Sequence, residues 1–295
     1  TFTTNLTDPG IINLVIASNS ANEFSGSGMV AQITFKSIGN LGEFSDVTFS
    51  DAQISDDMQV PAVDGSIEII LDDLMITGQD NSEIGADHSI TLGMCEGCAD
   101  GWSFGEDEYD YPNPFSGGYT NLNFYHYDWN GTIDAHNPVY EDSSTNFCCD
   151  QEEFKSDYRS QHSFRELTSW GIKGSTGGGL SSDIDINLSW DSGKLISNSD
   201  NFQMYIFVGD ENGVNMQQQN NISIDQSDLT PNENNEPNIW VKMGGCADTG
   251  ETSIYYRDFD GDSLGSSVEG TFCQGLQPTG WVNNNDDQLI NCFLA

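Results

Sequence analysis

Ile184-Asp185-Ile186-Asn187-Leu188-Ser189-Trp190 alternates apolar and polar side chains without a break. Successive side chains of an extended strand point to opposite faces, so Ile184, Ile186, Leu188 and Trp190 share one face and Asp185, Asn187 and Ser189 the other. That is the pattern of a strand with one face in a core and one in water. Working outward, residues 89–93, 122–127, 169–174, 203–208 and 239–243 are further short apolar or β-branched runs, separated by turns rich in Gly, Asn and Asp. Short strands at this spacing predict an antiparallel sandwich over residues 89–245. Gly177-Gly178-Gly179 lacks the strand-to-helix setting of a phosphate loop and reads as a flexible turn.

Towards the N-terminus the strand pattern continues. Ile11 to Ile16, Gly28 to Phe35, Val47-Thr48-Phe49 and Gly65 to Ile70 are apolar or β-branched, and no 3.6-residue period competes with them. Residues 72–88 are acidic, carry Gly78 and Gly85, and read as a linker.

The chain has 295 residues, with 47 Asp plus Glu against 8 Lys plus Arg, a formal net charge of −39. A hydrophobic content of 36% with 16 Phe is enough for real cores, which separates it from a disordered acidic tail. Nucleic acids and anionic membranes both require clustered Lys and Arg, so neither is an expected partner. No apolar run approaches the ~18 residues of a membrane-spanning helix. So much negative charge repels itself unless cations offset it. Acids clustered in Gly-rich turns favour bound Ca²⁺ in an extracellular protein over carboxylates that are merely solvated as an adaptation to salt.

Seven cysteines are spread through this β-type sequence: Cys95, Cys98, Cys148, Cys149, Cys246, Cys273 and Cys292. With scarce Lys they suggest an exported, disulfide-bonded chain. Cys95-x-x-Cys98 is half of a zinc knuckle, but adjacent Cys148 and Cys149 cannot easily both reach one tetrahedral ion. A cross-link between the two pairs is therefore expected, with its connectivity open. The odd count leaves one thiol free or bonded to another chain. Four Asn-x-Ser/Thr sequons, at Asn5, Asn130, Asn187 and Asn221, are what chance gives in so Asn-rich a sequence.

His126, His136 and His162, with Asp128, Asp134 and Glu152, are the candidate ligands or bases, yet no H-E-x-x-H arrangement occurs. No carboxylate pair stands out as a glycosidase would need. Phe124-Tyr125-His126-Tyr127-Asp128-Trp129 reads first as a strand with buried aromatics and second as a carbohydrate-stacking platform. The expectation is that the chain is not an enzyme.

Near the C-terminus, Tyr255-Tyr256-Arg257-Asp258-Phe259-Asp260-Gly261-Asp262-Ser263-Leu264-Gly265 places three carboxylates at alternate positions among glycines. Alternate carboxylates can turn their oxygens towards one point, and Ca²⁺ takes six to eight oxygens. The spacing matches the start of an EF-hand loop, but Gly does not follow Asp262 and no flanking helices are readable. It is a calcium-type loop outside an EF-hand.

Three resemblances add to this reading. The stretch INLVIAS…SGSGMVAQITFKSIG…SDVTFSDAQISD…VDGSIEI resembles the later half of a cohesin module, through the Gly26-Ser27-Gly28 turn, the Phe35 strand and the closing Val63-Asp64-Gly65 strand. Asp100-Gly101-Trp102, the acidic residues 106–110, Pro112 and Pro114 are similar to sandwich domains near the ends of bacterial secreted surface proteins. The third spans residues 252–287. Asp258, Asp260, Asp262, Gly265, Cys273, Pro278-Thr279-Gly280-Trp281-Val282 and Asn285-Asp286-Asp287 resemble a metal-binding motif repeated in bacterial surface proteins. That resemblance implies calcium, with Asp286 and Asp287 facing the first loop. It also implies a Cys273–Cys292 bond, with Cys246 as the rival partner.

The expected organisation is all-β: tandem antiparallel sandwiches, cohesin-like and Ig-like, with a small C-terminal calcium-loop segment. Residues 1–71 would be a partial cohesin-like sandwich, 72–88 the acidic linker, 89–245 the second sandwich, and 246–295 the metal loop with an apolar tail. Half a sandwich exposes edges that another chain can pair with. The missing strands would come either from sequence preceding Thr1 or from a neighbouring subunit, and exchange through the apolar tail would give an open filament. The expected function is a structural or adhesive component of a bacterial cell surface, a calcium-stabilised subunit that binds other copies of itself head to tail. Other partners are glycans or a surface-anchored protein. The alternatives are a cohesin-type scaffold or carbohydrate-binding module and, behind them, an accessory enzyme of polysaccharide hydrolysis.

Overall fold

The alternating heptapeptide is a strand, as its pattern requires: over Asp185–Trp190, Ile186, Leu188 and Trp190 are buried and Asp185 is exposed. The computed structural model describes residues 2–5, 13–16, 41, 43–47, 53–55, 58–59, 65–68, 70–81, 87–95, 97–98, 100, 107–108, 118–125, 153–177, 180, 184–197, 202–209, 212–230, 236–259 and 261–286. Among them there is no α-helix, only strands and two short 3-10 turns.

The chain divides into two compact units, Thr1–Ser37 and Ile38–Ala295. The first contains the antiparallel pair β1 (Phe2–Asn5) and β2 (Asn13–Ile16), with Phe2 opposite Ile16. The expected strand from Gly28 to Phe35 lies outside the described residues.

The second unit begins with four short strands, β3 (Phe44–Val47), β4 (Gln53–Ser55), β5 (Met58–Gln59) and β6 (Gly65–Glu68); β3 pairs β6, and β4 pairs β5. A sandwich follows. Its strands are β7 (Asp73–Asp80), β8 (His88–Met94), β9 (Tyr119–Tyr125), β10 (Glu153–Phe154), β11 (Ser156–Arg159) and β12 (Thr168–Gly177). It continues with β13 (Asp185–Trp190), β14 (Met204–Val208), β15 (Val214–Asn215), β16 (Asn221–Asp225) and β17 (Ile239–Met243). One sheet runs β10-β9-β12-β17-β14-β15 and the other β11-β8-β7-β13-β16. Every ladder in them is antiparallel except β11 with β8, which sets Ser156 beside Thr91 in parallel.

The inward faces make one core. Leu74, Ile76, Ile90 and Leu92 from the five-stranded sheet meet Leu122, Phe124, Trp170, Ile172, Ile206 and Val241 from the six-stranded one. Fully burying a side chain of this size stabilises by roughly 1.5–3 kcal/mol, so the layer as a whole dominates folding.

The linker reading of 72–88 is corrected by β7, which sits between β8 and β13 at the centre of its sheet. Leu74 and Ile76 point inward and are fully buried, whereas Met75 between them is 53% exposed. An exposed Met beside two buried residues hides the alternation, and the flanking Asp residues add a polar, loop-like composition. Gly78 is needed for packing: a Cβ there would come 2.8 Å from Leu122 Cδ1 of the facing sheet. The expected run 122–127 is observed as Tyr119–Tyr125, and β16, with Ile222 and Ile224 alternating, is a strand that went unread.

Candidate metal site

The C-terminal module is a three-stranded sheet of β18 (Thr252–Arg257), flanked by β19 (Glu269–Cys273) and β20 (Trp281–Val282). Its apolar content is small. Phe272 packs edge-on against Trp281 with centroids 5.0 Å apart, and Tyr255 lies 6.1 Å from Phe272. The Tyr255 hydroxyl accepts the Gly275 N–H at 3.1 Å. With so little to bury, the loop between β18 and β19 depends on hydrogen bonds for its shape.

That loop contains the alternating carboxylates. Its base is closed where Arg257 N–H donates to Val268 O (2.8 Å), Ser266 N–H to Arg257 O (2.9 Å) and Asp258 N–H to Gly280 O (2.9 Å). Inside it, Asp258 Oδ1 accepts the Gly261 N–H at 2.8 Å and Oδ2 accepts the Ser263 N–H at 3.1 Å. Asp262 Oδ1 accepts the Leu264 N–H at 2.8 Å. Gly261 at φ +78° and Ser263 at φ +71° take the left-handed backbone that wraps the chain around Asp258.

Asn284, just past β20, fastens the loop from the other side. Its Oδ1 accepts the Gly265 N–H at 3.2 Å and the Asp286 N–H at 3.4 Å, and its Nδ2 donates to Ser263 O at 3.1 Å. Gly265 has to be glycine for this approach, since a Cβ would run into the Asn284 carbonyl and come 3.0 Å from Val282 Cγ2. Asn284 was missed in the sequence because the run Asn283-Asn284-Asn285 gives no sign of which amide turns inward.

Of the five expected metal residues, Asp258 and Asp262 lie in one loop, and Asn284 brings the Asp286 backbone against it. Asp260 and Asp287 lie outside the described residues. The donors present are carboxylate oxygens, the type a hard cation takes. Among the described residues, however, no three His, Cys, Asp or Glu side chains gather into a ligand group.

A second polar cluster surrounds His162. Its Nδ1 pairs with Glu166 Oε2 at 2.9 Å and its Nε2 with Asp100 Oδ1 at 2.7 Å. The Glu166 hydrogen bond, with Asp100 behind it, outweighs burial and pushes the imidazole up to about 9. Burial alone would raise Asp100, but bonds from Ser160 and His162 hold its carboxyl below the usual range. The Ser160 hydroxyl donates to Asp100 Oδ1 at 2.6 Å. The Ser160 hydroxyl also lies 3.0 Å from His162 Nε2, and the cluster, a histidine between two carboxylates, stands beside a cleft of about 380 Å³. The other candidate bases and ligands, His126, His136, Asp128, Asp134 and Glu152, lie outside the described residues. In the aromatic run, Phe124 is fully buried in the core and Tyr125 is buried beneath the Lys173 ammonium, 4.0 Å from its ring centroid. The buried-strand reading therefore holds for both.

The cysteine expectations change. Cys95 and Cys98 are bonded to each other, with Cα atoms 5.4 Å apart, in place of a cross-link to Cys148–Cys149. Two cysteines three apart meet readily where the chain turns, and Cys98 N–H donates to Cys95 O across this turn. Cys273 pairs with its rival partner Cys246, again at a Cα separation of 5.4 Å. Cys148, Cys149 and Cys292 lie outside the described residues. The Cys246–Cys273 bond ties the C-terminal module to the end of β17, and next to it Cys273 N–H donates to Arg165 O at 2.6 Å.

No protein-family model, no curated protein and no solved structure matches this chain.

Proposed function

We propose that the chain is a structural and adhesive component of a bacterial extracellular surface, a calcium-stabilised subunit that assembles head to tail into a fibre by strand complementation. The observation that carries this reading is a pair of sheet edges. Among the described residues, β15 ends the six-stranded sheet and β16 the five-stranded one. Both border a groove of about 800 Å³ with a mostly polar lining that includes Asn212, Gln219, Asn221 and Asp225, with Ile206, Val208, Val214 and Ile222 among it. An unpaired edge beside a groove that offers polar groups and some apolar side chains is what an added strand from another subunit would occupy.

The two disulfides and the Asn284 clasp suit a chain that keeps its shape outside the cell. Asp258, Asp262 and Asp286, with Asp260 and Asp287, would hold the calcium. When bound, the ion would neutralise part of the −39 charge and stiffen the loop. Electron microscopy and sedimentation of the native full chain, with and without calcium, test the proposal. Filaments are expected; monomers alone at every concentration and calcium level would remove the polymerisation.

A further inference from the structure

On the outward face of the six-stranded sheet, Phe207 lies opposite Trp240 and Tyr205 opposite Lys242, while the residues between them point into the core. All four side chains are partly exposed. Their rings lean across glycines. A Cβ on Gly213 would come 2.5 Å from Phe207 Cε1, and one on Gly171 would meet Pro237 Cγ at 2.6 Å and Trp240 Cη2 at 3.3 Å. Without side chains at those two positions, Phe207 lies over Gly213, and Pro237 and Trp240 lie over Gly171. The polar ends are anchored: Trp240 Nε1 donates to Pro237 O at 2.9 Å, and Tyr205 Oη accepts from Asn215 Nδ2 at 3.3 Å. Lys242 Nζ stands 4.7 Å from the Phe207 ring centroid.

The charge of this face differs from that of the chain. Asp and Glu number 47 in 295 residues, yet β9, β12, β14, β15 and β17 contain neither. These strands do hold two of the chain's eight cations, Lys173 and Lys242. Among the described residues, only Glu153, on the far strand β10, puts a carboxylate into the sheet. A lysine next to flat rings, on strands that contribute no carboxylate of their own, complements a ligand that has both an apolar face and a negative group.

We propose that Tyr205, Phe207, Trp240 and Lys242 form a binding platform for an acidic polysaccharide. The C–H face of a uronate ring stacks on Trp240, and its carboxylate meets the Lys242 ammonium. Four side chains are far short of the roughly 800 Å² per partner of a stable protein interface, but they match one or two sugar rings. Repulsion from the rest of the acidic surface is confined at physiological salt by a Debye length of about 8 Å.

The test is affinity electrophoresis of the native full chain in polygalacturonate and in dextran, at low and high salt. Retardation by polygalacturonate is expected, weakening as salt rises. Trp240→Ala should weaken it by at least about tenfold, a difference well within what the method resolves. Trp240→Phe should keep most of the binding, and Lys242→Gln should reduce both the binding and its salt dependence. Several results would overturn the proposal: no retardation by either polymer, unchanged binding in Trp240→Ala, or equal binding of dextran with Lys242→Gln silent. Calcium bridging through acidic loops would appear as binding that survives Trp240→Ala. A dimer dispersed by Trp240→Ala in sedimentation would put a protein partner on this face instead. Filament formation is read separately, so failure of either proposal leaves the other standing.

Discussion

The Asn284 side chain accepts the Gly265 N–H at 3.2 Å and donates to the Ser263 carbonyl at 3.1 Å, so one amide spans the mouth of the acidic loop. Residues nineteen and twenty-one apart in sequence are joined through it, in a module whose apolar packing is little more than Tyr255, Phe272 and Trp281.

Asn284→Ala should therefore open the loop. Losing these two bonds and the longer one that Oδ1 accepts from the Asp286 N–H, at roughly 0.5–1.5 kcal/mol each, is expected to destabilise the C-terminal module by about 2–3 kcal/mol. Asn284→Asp keeps the acceptor for Gly265, loses the donor to Ser263, and should fall between. Limited proteolysis across residues 258–265 is the measurement. Equal cleavage rates in wild type and Asn284→Ala would mean that the bonds do not hold the loop.

Chelation should act on the same place. If calcium binds the folded loop and not the unfolded one, it stabilises by RT ln(1 + [L]/Kd), and EDTA removes that term. The first new cleavage in EDTA is expected near Asp258, ahead of any cut in the sandwich, and added calcium should reverse it. Asp258→Asn should be cut there even with calcium present, because the carboxylate that organises the turn has lost half its acceptor oxygens. Identical digestion patterns with calcium and with EDTA would leave a plain acidic turn.

The sandwich was legible wherever one face alone is buried. Residues 184–190 and 239–243 alternate because water lies on one side, and both are strands where expected. β7 was not legible, because Met75 is apolar and exposed while Asp80 is charged and only 1% exposed. The alternation there follows the packing and not the polarity of the residues. The acidic loop was legible because its residues are consecutive. Its fastening to Asn284 was not, since nothing local distinguishes one Asn of three. Disulfide partners depend on which strands meet, which is why Cys246 could be named as a rival for Cys273 without being chosen.

Breaking the Cys246–Cys273 bond should loosen the module more than either change above. The cysteines are 27 residues apart, and closing a loop of that size restricts the unfolded chain by about 3–4 kcal/mol in the chain-entropy account. Cys246→Ser with Cys273→Ser is expected to lower the urea midpoint of the C-terminal module by a corresponding amount. Ellman titration of the unfolded wild type and peptide mapping check the connectivity. A mapped Cys273–Cys292 peptide would contradict the pairing directly.

His162 gives the chain an alkaline limit. Its native pKa is about 9, above its ordinary value of about 6.5, chiefly because Glu166 hydrogen-bonds the charged ring and Asp100 adds to this against the cost of burial. A group raised on folding contributes its full stability below the unfolded value and loses it as pH climbs through the native one. The clamp should therefore be fully engaged below pH ~6.5, weaken steadily above it, and contribute nothing beyond pH ~9. Asp100 is 52% exposed and Glu166 34%, so solvent screening reduces the contribution to about 1 kcal/mol. His162→Gln removes the charge and is expected to lower stability by that amount at pH 6 and by almost nothing at pH 10. Asp100 has the opposite sign: its depressed carboxyl favours the fold at neutral pH, and that contribution is lost as acid protonates it. Urea midpoints of wild type and His162→Gln across this range decide the matter. A constant gap between them from pH 6 to pH 10 would show that the ring acts by packing and not by charge.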